Sequence, residues 1–462
     1  MTRNLAAVAA AIAASLAAVA PARADVIATF DGSAVGPSSV FVVNATTGAR
    51  LSAPPGVNEP GADEFHPSLS PDGRFLVFER RVSGTLRIVM VERATGRSAD
   101  LFNGFEAAAD PPSTPTFSLD GTKVLTGRRL DRRNSAAPAG ALQGSVTETD
   151  VTNFPNGPFP HRIVPAGGAD STVAGRTLQA APFGSNLLAF GTDFGGGPPG
   201  RITVQGAGGA TTLTDATHGL AKPTISGSAG AVVFESAPAA SPFATKLVFR
   251  PLARLSSAAT IELPAVVNAS GTFDRAPTFT RDGRFLVFAR AESATAKTLA
   301  RLFMWDTQTQ LLVNPAGTAR FPAPDPADGA IALENRRVLT TGTVRPSGTL
   351  GLSVATKTTA GLIVQRIVGR HDVLGHDAPR LTAVGRVPLG RFRRGRHHRR
   401  WDFTVRGHEL PVGCYLVTFR ALTRDGRRVR DLSTPNTVRV RDRGRPLVRR
   451  GVRMRTCGGA GP

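Results

Sequence analysis

Four basic residues stand one or two places ahead of a proline: His66 before Pro67, Lys222 before Pro223, Arg275 before Pro277 and Arg320 before Pro322. Each leads into the first strand of a repeated unit, which would gather them at one channel mouth of the assembly, where an imidazole, an ammonium and two guanidiniums can donate hydrogen bonds and attract carboxylate or phosphate; they are the candidate binding residues. No catalytic residue is assigned beside them. The chain contains no Gly-x-Ser-x-Gly pentapeptide, the strand-to-helix elbow that exposes a nucleophilic serine. P-loop and dinucleotide-binding fingerprints are also absent, and the run Gly195–Gly200 lacks the strand-then-helix pattern of a phosphate cradle. His371-Asp372 and His376-Asp377 give two imidazole–carboxylate pairs without a third ligand at a metal-binding spacing, so no metal and no cofactor are expected. The Asp-Gly pairs at 72–73, 120–121 and 282–283 read as turn residues, Asp bonding its own backbone and Gly allowing positive φ.

The elements that carry these residues repeat. Phe279 to Arg290 reads FTRDGRFLVFAR and, some two hundred residues earlier, Leu69 to Arg80 reads LSPDGRFLVFER. A proline, a short apolar stretch, an Asp-Gly turn and four apolar residues read as two strands joined by a hairpin. In the second strand Phe75 and Val77 share one face and Leu76 and Phe78 the other, so both faces are apolar and the strand sits between packed layers. Weaker copies follow Pro115, Pro182, Pro223 and Pro322, giving anchors 41 to 67 residues apart. With the third-strand copies Leu86 to Val91 and Leu302 to Trp305, each unit becomes a four-stranded meander, the size of one β-propeller blade. Pro-x-Phe-Ser-Pro-Asp-Gly-x-x-Leu-x-Phe resembles the repeat of TolB-type propellers, also present in prolyl-oligopeptidase-like enzymes. That resemblance implies an all-β chain with six blades over residues 25–370. Residues 25–52 supply strands without an anchor and either complete the last blade or begin a seventh.

Residues 1–24 have an early Arg3, an apolar run from Leu5 to Ala20, and Ala22-Arg23-Ala24 before Asp25, the pattern of a cleaved secretory signal. The run is shorter than a membrane span needs, so the expected location is secreted or extracytoplasmic, with no span left after cleavage. The chain has two cysteines, Cys414 and Cys457, and in an oxidising compartment these are expected to form one disulfide. Residues 371–378 read as a linker. Residues 379–445, with a Trp strand, Cys-Tyr-Leu-Val and an Asp425-Gly426 hairpin, resemble an immunoglobulin- or fibronectin-like β-sandwich, and 446–462 read as a basic tail.

Net charge is +22, and 22 arginines against five acidic residues lie between Arg380 and Arg455. Such a field draws polyanions, although with only five lysines in the chain arginine enrichment is general and could equally be compositional. The export signal and the lack of an aromatic stacking series argue against nucleic acid. The partner expected is a protein or an anionic cell-envelope polymer, and the sequence does not fix the oligomeric state. These readings converge on an exported, non-enzymatic binding or scaffold protein. The alternative is a secreted polysaccharide lyase or glycosidase with its site at the propeller's channel mouth, since propellers host both.

Overall fold

The computed structural model describes residues 26–31, 39–44, 51–70, 72–102, 113–118, 121–129, 144–165, 179–180, 188–191, 202–206, 209–225, 230–241, 243–256, 259–279, 284–294, 299–313, 321–322, 325–326, 339–354, 357–374, 376–422, 429–453 and 457. The signal segment, Arg320, and the Asp-Gly pair at 282–283 lie outside them.

The chain folds as an all-β protein, and its repeats become antiparallel sheets. Blade 1 is Asp63–Leu69, Phe75–Val82, Thr85–Glu92 and Ser98–Asp100, paired in that order. Blade 2 begins with Ser113–Phe117, blade 3 with Gln179–Ala180, blade 4 with His218–Ile225 and blade 5 with Phe273–Phe279. The arginine-rich insertion around residues 128–144 falls between the second and third strands of blade 2, as its composition suggests. The sixth sheet is built from both ends of the propeller: Asp325–Pro326 pairs with Val26–Asp31, which pairs with Ser39–Asn44. The N-terminal strands therefore close the ring, and among the described residues there are six such sheets. One anchor sits elsewhere than expected. Phe321–Pro322 pairs with Leu299 and Ala300 of blade 5, and Asp325–Pro326 takes the edge of the closing sheet.

The two-faced strands pack as their alternation dictates. Leu76 and Phe78 join Val40 and Val42 of blade 6, while Val77 meets Phe117 and Val124 of blade 2. In blade 5, Leu286 and Phe288 pack on Val233 and Phe249 of blade 4, and Val287 on Phe41 of blade 6. Fully burying side chains of this size stabilises by roughly 1.5–3 kcal/mol each, so the inter-blade layers hold the ring together.

Two ion-pair clamps recur in blades 1 and 5. Arg74 and Arg284, each next in sequence after an Asp-Gly pair, reach Glu92 and Asp306 at the ends of the third strands, each at 2.6 Å. Arg80 and Arg290, late in the second strands, reach Glu64 and Asp274, each at 2.7 Å. The same two arginines bind carbonyls of the loop entering the inner strand, Arg80 at Gly56 and Arg290 at Val266 and Val267. Those loops share a pattern the propeller phrase does not contain: Val57-Asn58 and Val267-Asn268, each asparagine bonding both backbone groups of the preceding blade's third strand, at Val40 and Leu247.

The C-terminal module starts earlier than its vocabulary suggests. Leu339–Val344, Thr349–Val354 and Gly395–Arg400 form one sheet, and a second runs from His376–Phe392 through Thr358–Val373, Gly413–Leu422 and Asn436–Val440 to Leu447–Arg450. The two share one core of Leu350, Leu352, Leu362, Val364, Tyr415, Val417, Phe419 and Val438. Residues 339–370 were expected in the propeller because alternating apolar residues read alike in either fold. The expected linker at 371–378 is instead the tip of a hairpin of 16- and 17-residue strands. That tip docks on the propeller, with Leu374 buried against the Trp305 cluster and Gln310 donating to the Pro379 carbonyl at 2.9 Å. Part of the expected tail is also ordered: Leu447–Arg450 is an edge strand, and Cys457 is bonded to Cys414 with Cα atoms 5.8 Å apart.

Candidate functional site

The prolines of the repeated phrase create a bulge in the inner strands. Pairing shifts register between Phe65 and Ser68, Ser113 and Thr116, Ala221 and Thr224, and Arg275 and Thr278, because proline has no N–H for the ladder. The residue before the proline takes a left-handed conformation: His66 at φ 48°, Lys222 at φ 45° and Ala276 at φ 50°. Such backbone costs on the order of 1–3 kcal/mol for a non-glycine residue and persists only where its surroundings enforce it. Since three blades share it, it belongs to the repeat. Just beyond each proline, Ser68, Thr116, Thr224 and Thr278 are buried, and the Ser68 hydroxyl accepts the Phe117 N–H of the next blade at 3.2 Å.

This bulge places two of the four expected binding residues at matching positions. His66 Nδ1 lies 2.8 Å from Glu79 Oε1, and Lys222 Nζ lies 3.5 Å from Glu235 Oε1. The bases are 23% and 20% exposed in their side chains and the acids 3% and 4%, so each half-buried base sits over a buried carboxyl group. Glu235 Oε1 also accepts the Ala276 N–H of blade 5. With six sheets in the ring, blades 1 and 4 stand opposite each other, which sets the two pairs across the axis. Arg275 falls one residue short of the bulge, where blade 5 has Ala276, and it pairs across from Ala289. Arg320 lies outside the described residues.

Glu79 and Glu235 are the residues that reading the sequence missed. Each ends the second strand's apolar run, as LVFE79 and VVFE235, where blades 2, 3 and 5 carry Gly127, Gly191 and Ala289. Aligning those endings would have found them. Near the same end of the propeller, Asp274 is buried beneath Arg290. Burial pushes its carboxyl up to about 7, against the pull of the Arg290 guanidinium.

Among the described residues no group of three His, Cys, Asp or Glu converges as metal ligands would. A cavity of about 550 Å³ opens at the rim between the outer strands of blades 1 and 2, lined by Ser98, Asp100, Asn156, Phe159 and His161. Its histidine is held by stacking on Phe102 at 4.6 Å and by Thr149 Oγ1 at 2.9 Å. None of the bulge residues reaches it.

The chain is similar in fold to TolB-type β-propellers. TolB from Acinetobacter baumannii matches at 16% identity and a TM-score of 0.43, over 69% of this chain and 70% of that one. Hydrazine synthase of Kuenenia stuttgartiensis matches at 10% identity and TM-score 0.47, over 89% and 67%. An oligogalacturonate lyase in complex with manganese matches at 14% and 0.40, over 78% and 86%. No family model and no curated protein sequence matches the chain.

The module meets the propeller at the opposite end from the inner-strand entry. Arg284 Nη2 donates to the Ser433 carbonyl at 3.0 Å and Gln365 Nε2 to the Thr309 carbonyl at 3.1 Å, both at the end where the Asp-Gly turns lie.

Proposed function

We propose that the chain is an exported, non-enzymatic binding protein whose propeller captures a protein partner on the face where the inner strands begin. One observation carries this: His66 over Glu79 and Lys222 over Glu235, set on opposed blades at matching bulges. Each base has a carboxylate beside it, so these positions offer paired donors and acceptors. A polar, preorganised surface of that kind suits the polar contacts of a protein loop. Export is supported by the apolar N-terminal run and by the Cys414–Cys457 bond. An immunoglobulin- or fibronectin-like descent for the module is supported by Tyr415, whose hydroxyl donates to the Pro411 carbonyl at 2.6 Å, much as a tyrosine corner does.

The competing reading is a polysaccharide lyase or glycosidase using the same two acid–base pairs. Affinity capture from an envelope extract with wild type and with a His66→Ala, Lys222→Ala double variant separates them, run beside an assay of polygalacturonate cleavage. The binding reading expects a specific protein retained by wild type and lost by the variant, with neither protein cleaving the polymer. Cleavage by wild type that disappears in the variant would establish the enzyme instead.

A further inference from the structure

A dense run of positive charge lies on the module, with Asp402 beside Arg400 at its end. From Arg380 to Trp401 the chain has eight arginines, two histidines and no carboxylate. The strand Gly395–Arg400 is the edge of the three-stranded sheet and pairs with Thr349–Val354. Register divides its side chains. Arg399 and His397 stand opposite buried Leu350 and Leu352, whereas Arg396, His398 and Arg400 stand opposite Ser353, Gly351 and Thr349 on the outer face. All three outer residues are exposed and recur every second position, about 7 Å apart along a strand. Gly351 keeps the middle of this face low, since a Cβ there would lie 2.6 Å from Thr343 Oγ1.

The row is also held in place. His397 Nε2 bonds the Arg393 carbonyl at 2.7 Å, fixing the turn that carries exposed Arg393 and Arg394. The Arg399 guanidinium lies over the Phe392 ring at 5.5 Å, and that ring contacts His397 at 5.1 Å. Preorganisation of this kind lowers the ordering cost of binding.

We infer that the Gly395–Arg400 edge and the turn before it form a binding site for a linear phosphodiester polymer of the poly(glycerol phosphate) type. The guanidinium fork matches phosphate oxygens in pairs. The spacing of the row is comparable with that of phosphates joined by a three-carbon polyol, so successive phosphates can meet Arg396, His398 and Arg400 in turn, the imidazole donating between two guanidiniums. Phe392 and Trp401 are buried, which leaves this edge without a stacking platform for nucleic-acid bases. The outer row has no apolar side chain to enter a bilayer. This site lies on a different body of the molecule from the propeller face and stands or falls apart from it.

The test is calorimetric titration of the full exported chain with synthetic poly(glycerol phosphate) at several salt concentrations. Arg396→Ala with Arg400→Ala should weaken binding at least tenfold and reduce the slope of log affinity against log salt by about two. Arg441→Ala with Arg443→Ala, an equal charge change at another exposed part of the module, should leave affinity within twofold. Equal losses in the two pairs would overturn the site in favour of diffuse charge. Tighter binding of charge-matched single-stranded oligonucleotide, polygalacturonate or anionic vesicles through Arg396 and Arg400 would overturn the polymer assignment, and no measurable binding would overturn both.

Discussion

Arginine does different work in the two halves of this molecule. In the propeller it is an internal brace: Arg74, Arg80, Arg284 and Arg290 each reach a carboxylate, and the last three also bond a backbone carbonyl of a neighbouring segment. Blades 1 and 5 use the same two braces at the same places in the repeat. On the module edge, Arg393, Arg394, Arg396 and Arg400 are exposed, in a stretch followed by a single nearby acid, the exposed Asp402, which feels the Arg400 charge. Charge that is buried against carboxylates in one region and exposed in a dense row in the other points to a structural use in the first and a binding use in the second.

That contrast can be broken most forcefully at Arg284. It is 6% exposed beside an Asp306 that is fully buried, so Arg284→Ala should strand an unpaired carboxylate and cost about 3–5 kcal/mol, read as a lowered midpoint in urea unfolding. A loss under ~1 kcal/mol would mean that the clamp is ornamental. Next, replacing Cys414 and Cys457 by serine should cost the module roughly 2–5 kcal/mol. Limited proteolysis should then release fragments from beyond residue 339 first, and propeller fragments appearing first would contradict the boundary drawn from strand pairing.

A smaller effect sharpens the picture of the second clamp. The folded Asp274 carboxyl, raised to about 7 from 3.8, holds its proton more tightly than in the unfolded chain. Between those values the native state binds more protons than the unfolded state, so stability falls as pH rises through this window. Asp274→Asn should flatten that part of the curve. A stability that instead rises from pH 4 to 7 and flattens in the variant would show the carboxyl to be held ionised by Arg290. Smallest of all, His66→Ala with Lys222→Ala uncovers Glu79 and Glu235 where each base is partly open to solvent, so the loss should be about 1 kcal/mol per site, well below that of Arg284→Ala. A loss per site as large as that of Arg284→Ala would make the two pairs braces as well, and would remove the argument for a binding face.

The propeller was legible because its code is local. Pro67 to Phe78 contains the bulge, the turn and the two-faced strand within a dozen residues, and the copy at Pro277 repeats them. The turn chemistry held where it is described: Gly73 sits at φ 66°, and Asp72 accepts the Arg74 N–H at 2.9 Å. The start of the module was not legible, since Thr349–Val354 alternates like any propeller strand and only its pairing with Gly395–Arg400, some forty-five residues away, places it. At the candidate site the bases were found through their prolines, but Glu79 and Glu235 were not, because what buries a glutamate under a cation is the next strand of the sheet and the next blade. Arg275 shows the limit of position counting: a one-residue offset puts Ala276, not Arg275, at the bulge position that His66 and Lys222 hold.

The division of labour between arginines is tested most directly by crossing two variants with two readouts. Arg284→Ala and the Arg396→Ala, Arg400→Ala pair should each be measured for thermal unfolding and for affinity to poly(glycerol phosphate) in the same buffer. The account predicts that the first variant lowers the unfolding temperature by several degrees at unchanged affinity, and that the second loses at least tenfold in affinity with its unfolding temperature within a degree of wild type. Loss of unfolding temperature in the edge pair without loss of affinity would contradict it.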